Sequence, residues 1–376
     1  MNSAIGLKLT GALQRVRSWE WILTLLAIYT IHHLFVSYFI LGNVTDIVRP
    51  FSSIPAYVYT GWDGALYRNL YNNYDRYYWP PLYPFALRLV TFVFDVDEPT
   101  AFEKSALILN FISHIVILIA ITRYVRQDAR LQGVAPWLIA LLLFFFPFHN
   151  VFFAAYSESF YLAITILALV LHQNERVGAA SLLAGVASLT RMMGSFLALA
   201  FFLEQLLYCI RDRTVYWRKL LFASFGIIIF LGWHTTLRLL GTTAVASNAD
   251  WISDLLVNHV PEGANPKLWV LKYLAFSPRY LEVIAFWMSL LTVGYCAVRK
   301  RYVEMFYIGG FYLSLAFYLY RPFAWTRYVS VLFPIQIMLA DWLRAKPRLA
   351  AAMLVVSAGT CYFIQRELFQ GRMGEP

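Results

Sequence analysis

Long apolar runs alternate with short polar or basic clusters along the whole chain, and the runs are the length of membrane-crossing helices, not of strands. With about 20 apolar residues needed per span, the pattern predicts eleven helices, over 20–41, 105–122, 134–150, 157–172, 178–190, 195–210, 220–240, 281–298, 303–320, 328–343 and 349–365. The stretch 80–94, PPLYPFALRLVTFVF, fits either a further span or a helix lying at the membrane interface.

Charge separates the two. If 80–94 spans, the acids from Asp95 to Glu103 fall inside and Arg123, Arg126 and Arg130 outside, against the positive-inside tendency. If it lies on the surface, one side collects Lys8, Arg15, Arg17, Arg123, Arg126, Arg130, Arg176, Arg211, Arg213, Arg218, Lys219, Arg299, Lys300, Arg301, Arg344, Lys346 and Arg348. The acids on that side are Glu20, Asp128, Glu175, Glu204, Asp212, Glu304 and Asp341, so the whole formal charge of +10 sits there. The interfacial reading follows, with a cytoplasmic N-terminus. Two longer segments, 42–104 and 241–280, then project on the outer side; the second has the look of a cap over an outer cavity.

Composition sharpens the class. The 376 residues are 60% hydrophobic and 14% charged, where a soluble domain carries about 25% charged residues. A polytopic membrane protein forming one domain over 1–376 is expected. The run from Trp21 to Leu41 lacks a small-residue cleavage pattern and reads as a retained first helix. Cys209, Cys296 and Cys361 sit singly in apolar segments, which suggests neither a disulfide framework nor a zinc site. The basic residues form no continuous face, so nucleic acid is excluded as a partner.

Chemistry concentrates in GWDGALYRNLYNNYDRYYWPPLYPF, residues 61–85. A carboxylate at Asp63 beside Trp62, with Arg68, Asp75 and Arg76 following, is expensive near a bilayer and is retained mostly where it lines a polar cavity. Asp63 reads as a general base; the bland alternative is an N-cap paired with Arg68. Glu158, in YSESFYL, begins an apolar span. It either orients an acceptor or a cation from the same cavity, with Tyr156 as a wall, or is a helix-start acid favoured by the dipole. Arg191, Arg321 and Arg327 fall at outer turns, where guanidinium suits a phosphate and equally suits anchoring at headgroups. Asp95 and Asp97 spell DxD, but beside Glu98 and Glu103 they read as a solvated turn. His32, His33 and His114 lack chelating spacing and read as hydrogen-bonded core residues.

WDGALYRNLYNN followed by WPPLYPFALRL resembles the first outer loop of the PIG-V family of mannosyltransferases. AAYSESFYLAITIL at 154–167, ASLTRMMG at 187–194 and TRYVSVLFP at 326–334 are similar to later segments of that family, in the same order. The resemblance implies an all-helical GT-C-type bundle that transfers a sugar, mannose first among candidates, from a polyprenyl- or dolichyl-phosphate donor to a glycolipid or glycan acceptor, with inversion. It implies Asp63 as catalytic and Trp62, Tyr67, Arg68, Tyr83, Tyr156, Glu158, Arg191, Arg327 and Tyr328 as substrate-binding, with no cofactor or metal. Gly64 stands where the family has Ala. The expected location is a multi-pass membrane, a prokaryotic plasma membrane before an ER membrane, with the site extracytoplasmic and membrane lipids as neighbours. The rival reading is a transporter or flippase that uses Asp63, Glu158 and Arg191 as a substrate path; within the class, a GT-C enzyme for another sugar.

Overall fold

The structure, a computed structural model, describes residues 22–32, 63–72, 80–96, 100–146, 152–239, 280–318 and 325–369. Every regular element among them is helical. In chain order they are α1 (Ile22–His32), α2 (Asp63–Asn72), α3 (Leu82–Val93), α4 (Ala101–Gln127), α5 (Pro136–Phe144), α6 (Glu158–Gln173), α7 (Val177–Ser188), α8 (Met193–Asp212), α9 (Trp217–Leu239), α10 (Tyr280–Val298), α11 (Tyr302–Tyr318), α12 (Trp325–Ser330), α13 (Phe333–Leu343) and α14 (Pro347–Phe369). By length and composition α4, α8 and α9 are long and apolar enough to cross a membrane, and several of the rest are shorter apolar helices. Residues 33–62, 73–79, 97–99 and 240–279 lie outside the described set, and with them the cap expected over 241–280, save Tyr280.

Two expected helices are corrected. The span over 134–150 is only Pro136–Phe144 among the described residues; Pro147 stands three residues past its end, and a proline disfavours helical geometry in the residue before it. The span over 328–343 is two helices, α12 and α13, separated at Val331 and Leu332. Pro334 lies in the first turn of α13, where its missing N–H costs nothing, whereas it would break a continuous helix. The break leaves Arg327 and Tyr328 on a short helix of their own.

The stretch 80–94 forms α3, 12 residues or about 18 Å. That falls short of a hydrocarbon core of about 30 Å. It buries Tyr83, Leu87 and Val90 against α2 and α4 and exposes Phe85, Leu89 and Phe92. Arg88 donates through Nε to the carbonyl of Tyr71, at the end of α2, at 2.8 Å. Tyr71 and Thr91 hydroxyls bond at 2.8 Å, and Thr91 bonds Ser105 on α4 at 2.7 Å. A β-branched threonine and two hydroxyls thus stitch three helices of one layer.

Close approach in the body depends on small residues. Ser181 on α7 donates to the carbonyl of Ala223 on α9 at 2.6 Å and accepts from the Gly226 N–H at 2.9 Å. A Cβ on Gly226 would stand 2.4 Å from the Ser181 carbonyl oxygen, and one on Gly185 would stand 2.8 Å from the Gly226 Cα. Bare backbone is what lets these helices touch.

Several basic turns assigned to one side by charge meet at one end of the bundle. Arg301, buried, pairs with Asp128 at 2.7 Å and Glu304 at 3.1 Å and donates to the Tyr124 hydroxyl at 2.6 Å. Arg130 pairs with Asp128 at 2.8 Å and donates to the carbonyls of Arg299 and Lys300. Arg344 reaches the Gln132 carbonyl at 3.1 Å, and Gln127 bonds Asn174 at 3.2 Å. Loops far apart in sequence are therefore bound together there.

Candidate active site

At the opposite end, α6 starts on Glu158, where a first-turn carboxylate is favoured by the helix dipole. The dipole is the smaller part of its setting. Glu158 is fully buried, and its Oε1 accepts from Arg327 Nε at 2.6 Å and pairs with Arg191 Nη1 at 2.8 Å. One carboxylate oxygen thus holds two guanidinium groups, each itself buried. Desolvating three charges is costly, and charge-assisted bonds of this length are what make the arrangement tolerable.

Each arginine has an aromatic neighbour from another block of sequence. Arg327 lies over the Tyr156 ring at 4.6 Å and Arg191 over Tyr328 at 5.8 Å. Arg191 also reaches Ser157 Oγ at 3.2 Å, and the same hydroxyl bonds the Tyr67 hydroxyl of α2 at 2.8 Å. Tyr67 meets Tyr83 edge to face at 4.8 Å. Tyr83 is fully buried, and its hydroxyl, like Glu158 Oε2, has no hydrogen-bond partner among the described residues. Backbone fixes the same junction: the Leu82 N–H donates to the Leu189 carbonyl at 3.0 Å, docking the start of α3 on the turn that carries Arg191.

Beneath lies a hydrogen-bonded floor. His114 bonds the Tyr29 hydroxyl at 2.9 Å, the Phe152 carbonyl at 3.0 Å and Ser159 Oγ at 2.9 Å, and Asn110 donates to the Ala154 carbonyl at 2.7 Å. His114 is the hydrogen-bonded core residue its sequence context suggests, and His32 stacks on Phe153 at 3.7 Å. These contacts hold the irregular run 152–157 that aims Tyr156, Ser157 and Glu158.

Of the candidate residues, Tyr67, Tyr83, Tyr156, Glu158, Arg191, Arg327 and Tyr328 come together here. Arg68 does not: it pairs with Glu103 on α4 at 2.6 Å and is partly exposed. The salt bridge envisaged between Arg68 and Asp63 falls on a side chain outside the described residues. The backbone of Asp63 opens α2, one turn before Tyr67, while Trp62 and the Asp63 side chain lie outside the described residues, as do His33, Asp75, Arg76, Asp97 and Arg321. Asp95 is exposed in a turn at φ 47°. Headgroup anchoring is overturned as an account of Arg191 and Arg327 by their burial.

Sequence reasoning missed Ser157, which links Tyr67 to Arg191, although the YSES block carried it. It also missed the buried Tyr161–Tyr307 hydroxyl pair at 2.6 Å, for which partners 146 residues apart give no local signal. Chemically, paired guanidinium groups suit an oxyanion, and a carboxylate between them fixes their orientation. Compared with protein-family models, curated proteins and solved structures, the chain matches none.

Proposed function

We propose that the protein is a membrane glycosyltransferase that moves a sugar, mannose first among candidates, from a polyprenyl- or dolichyl-phosphate donor to a glycolipid or glycan acceptor. The observation that carries this reading is convergence: four blocks of sequence spread from Tyr67 to Tyr328 supply one buried cluster around Glu158. The Arg301 cluster at the other end balances its charges, two arginines against Asp128 and Glu304. Two buried arginines on the single carboxylate of Glu158 instead keep a net positive charge, which suits a site that receives a phosphate and releases it.

In the proposed reaction Asp63 takes the proton from an acceptor hydroxyl, and that oxygen attacks the anomeric carbon from the side opposite the phosphate. The bond from the anomeric carbon to the phosphate oxygen breaks, and the lipid phosphate leaves with both electrons toward Arg191 and Arg327. Glu158 holds the guanidinium groups in place, and Tyr156 and Tyr328 wall the cavity. Helical register supports the base: position 63 lies four residues before Tyr67 and therefore on the same face of α2. Level supports a lipid-borne donor. α6 is 16 residues, about 24 Å, so a helix that starts at one face of a core of about 30 Å would set Glu158 just inside the other. We read the bundle as a polytopic GT-C-type one with α3 interfacial, the N-terminus cytoplasmic and the site extracytoplasmic, in a prokaryotic plasma membrane.

The test is transfer from radiolabelled polyprenyl-phosphate-mannose into membrane extract by purified protein and by Asp63→Asn. General-base removal is expected to lower the rate about 10² to 10⁴-fold. Equal transfer by the variant would take Asp63 out of the mechanism. Concentrative uptake into liposomes without transfer, lost in the same variant, would replace the enzyme by a transporter.

A further inference from the structure

Remote from the Glu158 cluster, α7 and α9 run side by side and in the same direction, with Gly178 against Phe222, Ser181 against Ala223 and Gly185 against Gly226. Where they begin, an open groove of about 430 Å³ lies between them, lined by Gly178, Ala179, Leu182, Phe222 and Phe225, with Glu175 and Arg176 at its mouth. Position 178 is bare, and a Cβ there would come into van der Waals contact with Phe222 at 3.4 Å. Its walls are apolar, and its volume is that of a small-molecule site.

The mouth is basic. Arg218 stands four residues before Phe222 and seven before Phe225, so it shares the face of α9 that lines the groove. Neither Arg176 nor Arg218 is in an ion pair among the described residues, and both are exposed. With Glu175 the mouth carries a formal charge of +1. Two guanidinium groups above an apolar slot complement a headgroup phosphate with an acyl chain below it.

We propose that this groove seats an anionic phospholipid of the leaflet at that end of the bundle, its chain along Leu182 and Phe222 and its phosphate between Arg176 and Arg218. Zwitterionic lipids share the chain and the phosphate, but their choline gains nothing at a basic mouth. Juxtamembrane basic residues each strengthen attraction to anionic lipid several-fold, so a preference on the order of 10-fold is expected. The proposal stands independently of the transferase reading.

Native mass spectrometry of the delipidated full-length protein in detergent tests it, with palmitoyl-oleoyl phosphatidylglycerol titrated against the phosphatidylcholine of the same chains. The expected result is roughly 10-fold tighter phosphatidylglycerol binding. Arg176→Gln with Arg218→Gln, both at exposed positions, should equalise the two lipids at an unchanged unfolding temperature. Ala179→Trp, which fills the slot and keeps both arginines, should weaken both lipids alike. Equal binding by the wild type, a preference surviving the double substitution, or undiminished binding by Ala179→Trp would each overturn the proposal. So would a lipid-free dimer dispersed by Ala179→Trp, since a second copy would then be the occupant.

Discussion

Replacing Glu158 by Gln keeps the shape of the side chain and removes the only carboxylate between Arg191 and Arg327 among the described residues. The two bonded nitrogens can be no farther apart than 5.4 Å, the 2.8 Å and 2.6 Å legs taken together. At an effective dielectric of about 20, two unit charges at that separation repel by about 3 kcal/mol. Breaking a buried ion pair from one side independently points to about 3–5 kcal/mol. Removing Arg327 instead leaves Glu158 with Arg191, a neutral pair, and should cost less. The measurement is thermal unfolding in detergent of Glu158→Gln, Arg327→Gln and the double variant. We expect Glu158→Gln to fall by roughly 5–10 °C at a few degrees per kcal/mol. The double variant should recover part of that loss, because the like-charge repulsion is gone. Glu158→Gln as stable as the wild type, or a double variant worse than the sum of its parts, would refute the electrostatic account of the cluster.

Two further outcomes follow from the packing and from the opposite end. Gly226→Ala places a Cβ 2.4 Å from the Ser181 carbonyl and should cost about 1–3 kcal/mol in detergent unfolding, whereas Gly309→Ala, with open space around it, should cost nothing; equal effects would sink the close-packing argument for α7 and α9. At Asp128 burial raises the carboxyl pKa, but the Arg130 hydrogen bonds and the Arg301 charge outweigh it and hold it below the ordinary carboxylate range. A depressed folded pKa means its stabilisation is complete above the unfolded value of about 3.9 and is lost as pH falls below it. The wild type should therefore lose stability more steeply than Asp128→Asn as pH falls below about 4, and identical acid slopes would contradict the pairing.

How much of this was legible beforehand depends on range. Apolar run length located the helices, because a 3.6-residue period and span length are local properties. Ends were missed where a single proline decided them, as at Pro147 and Pro334. The charge pattern grouped turns that the structure brings together at one end, around Arg130, Arg299, Lys300 and Arg344. It treated Arg301, however, like Arg299 and Lys300, and only the first is buried, on Asp128 and Glu304. Asp128 is 173 residues away in sequence, so nothing beside Arg301 announces its fate.

The same limit explains why Arg191 and Arg327 stayed ambiguous in the sequence and are not so in the structure. Arg191 and Arg327 each sit beside short apolar segments, the local context of a headgroup anchor and of a buried ligand alike. What separates the two is the partner, and Glu158 lies 169 residues from Arg327. Arg68, five residues from Asp63 in sequence, pairs with Glu103 on α4, a partner 35 residues away. The motif blocks meet through their helix starts: Leu82 begins α3 with an N–H that reaches Leu189, and Ser157 precedes α6 with a hydroxyl that reaches both Tyr67 and Arg191. A helix start exposes donors that must find partners outside the helix. Such starts are where distant blocks can be tied together, and Glu158 stands on one.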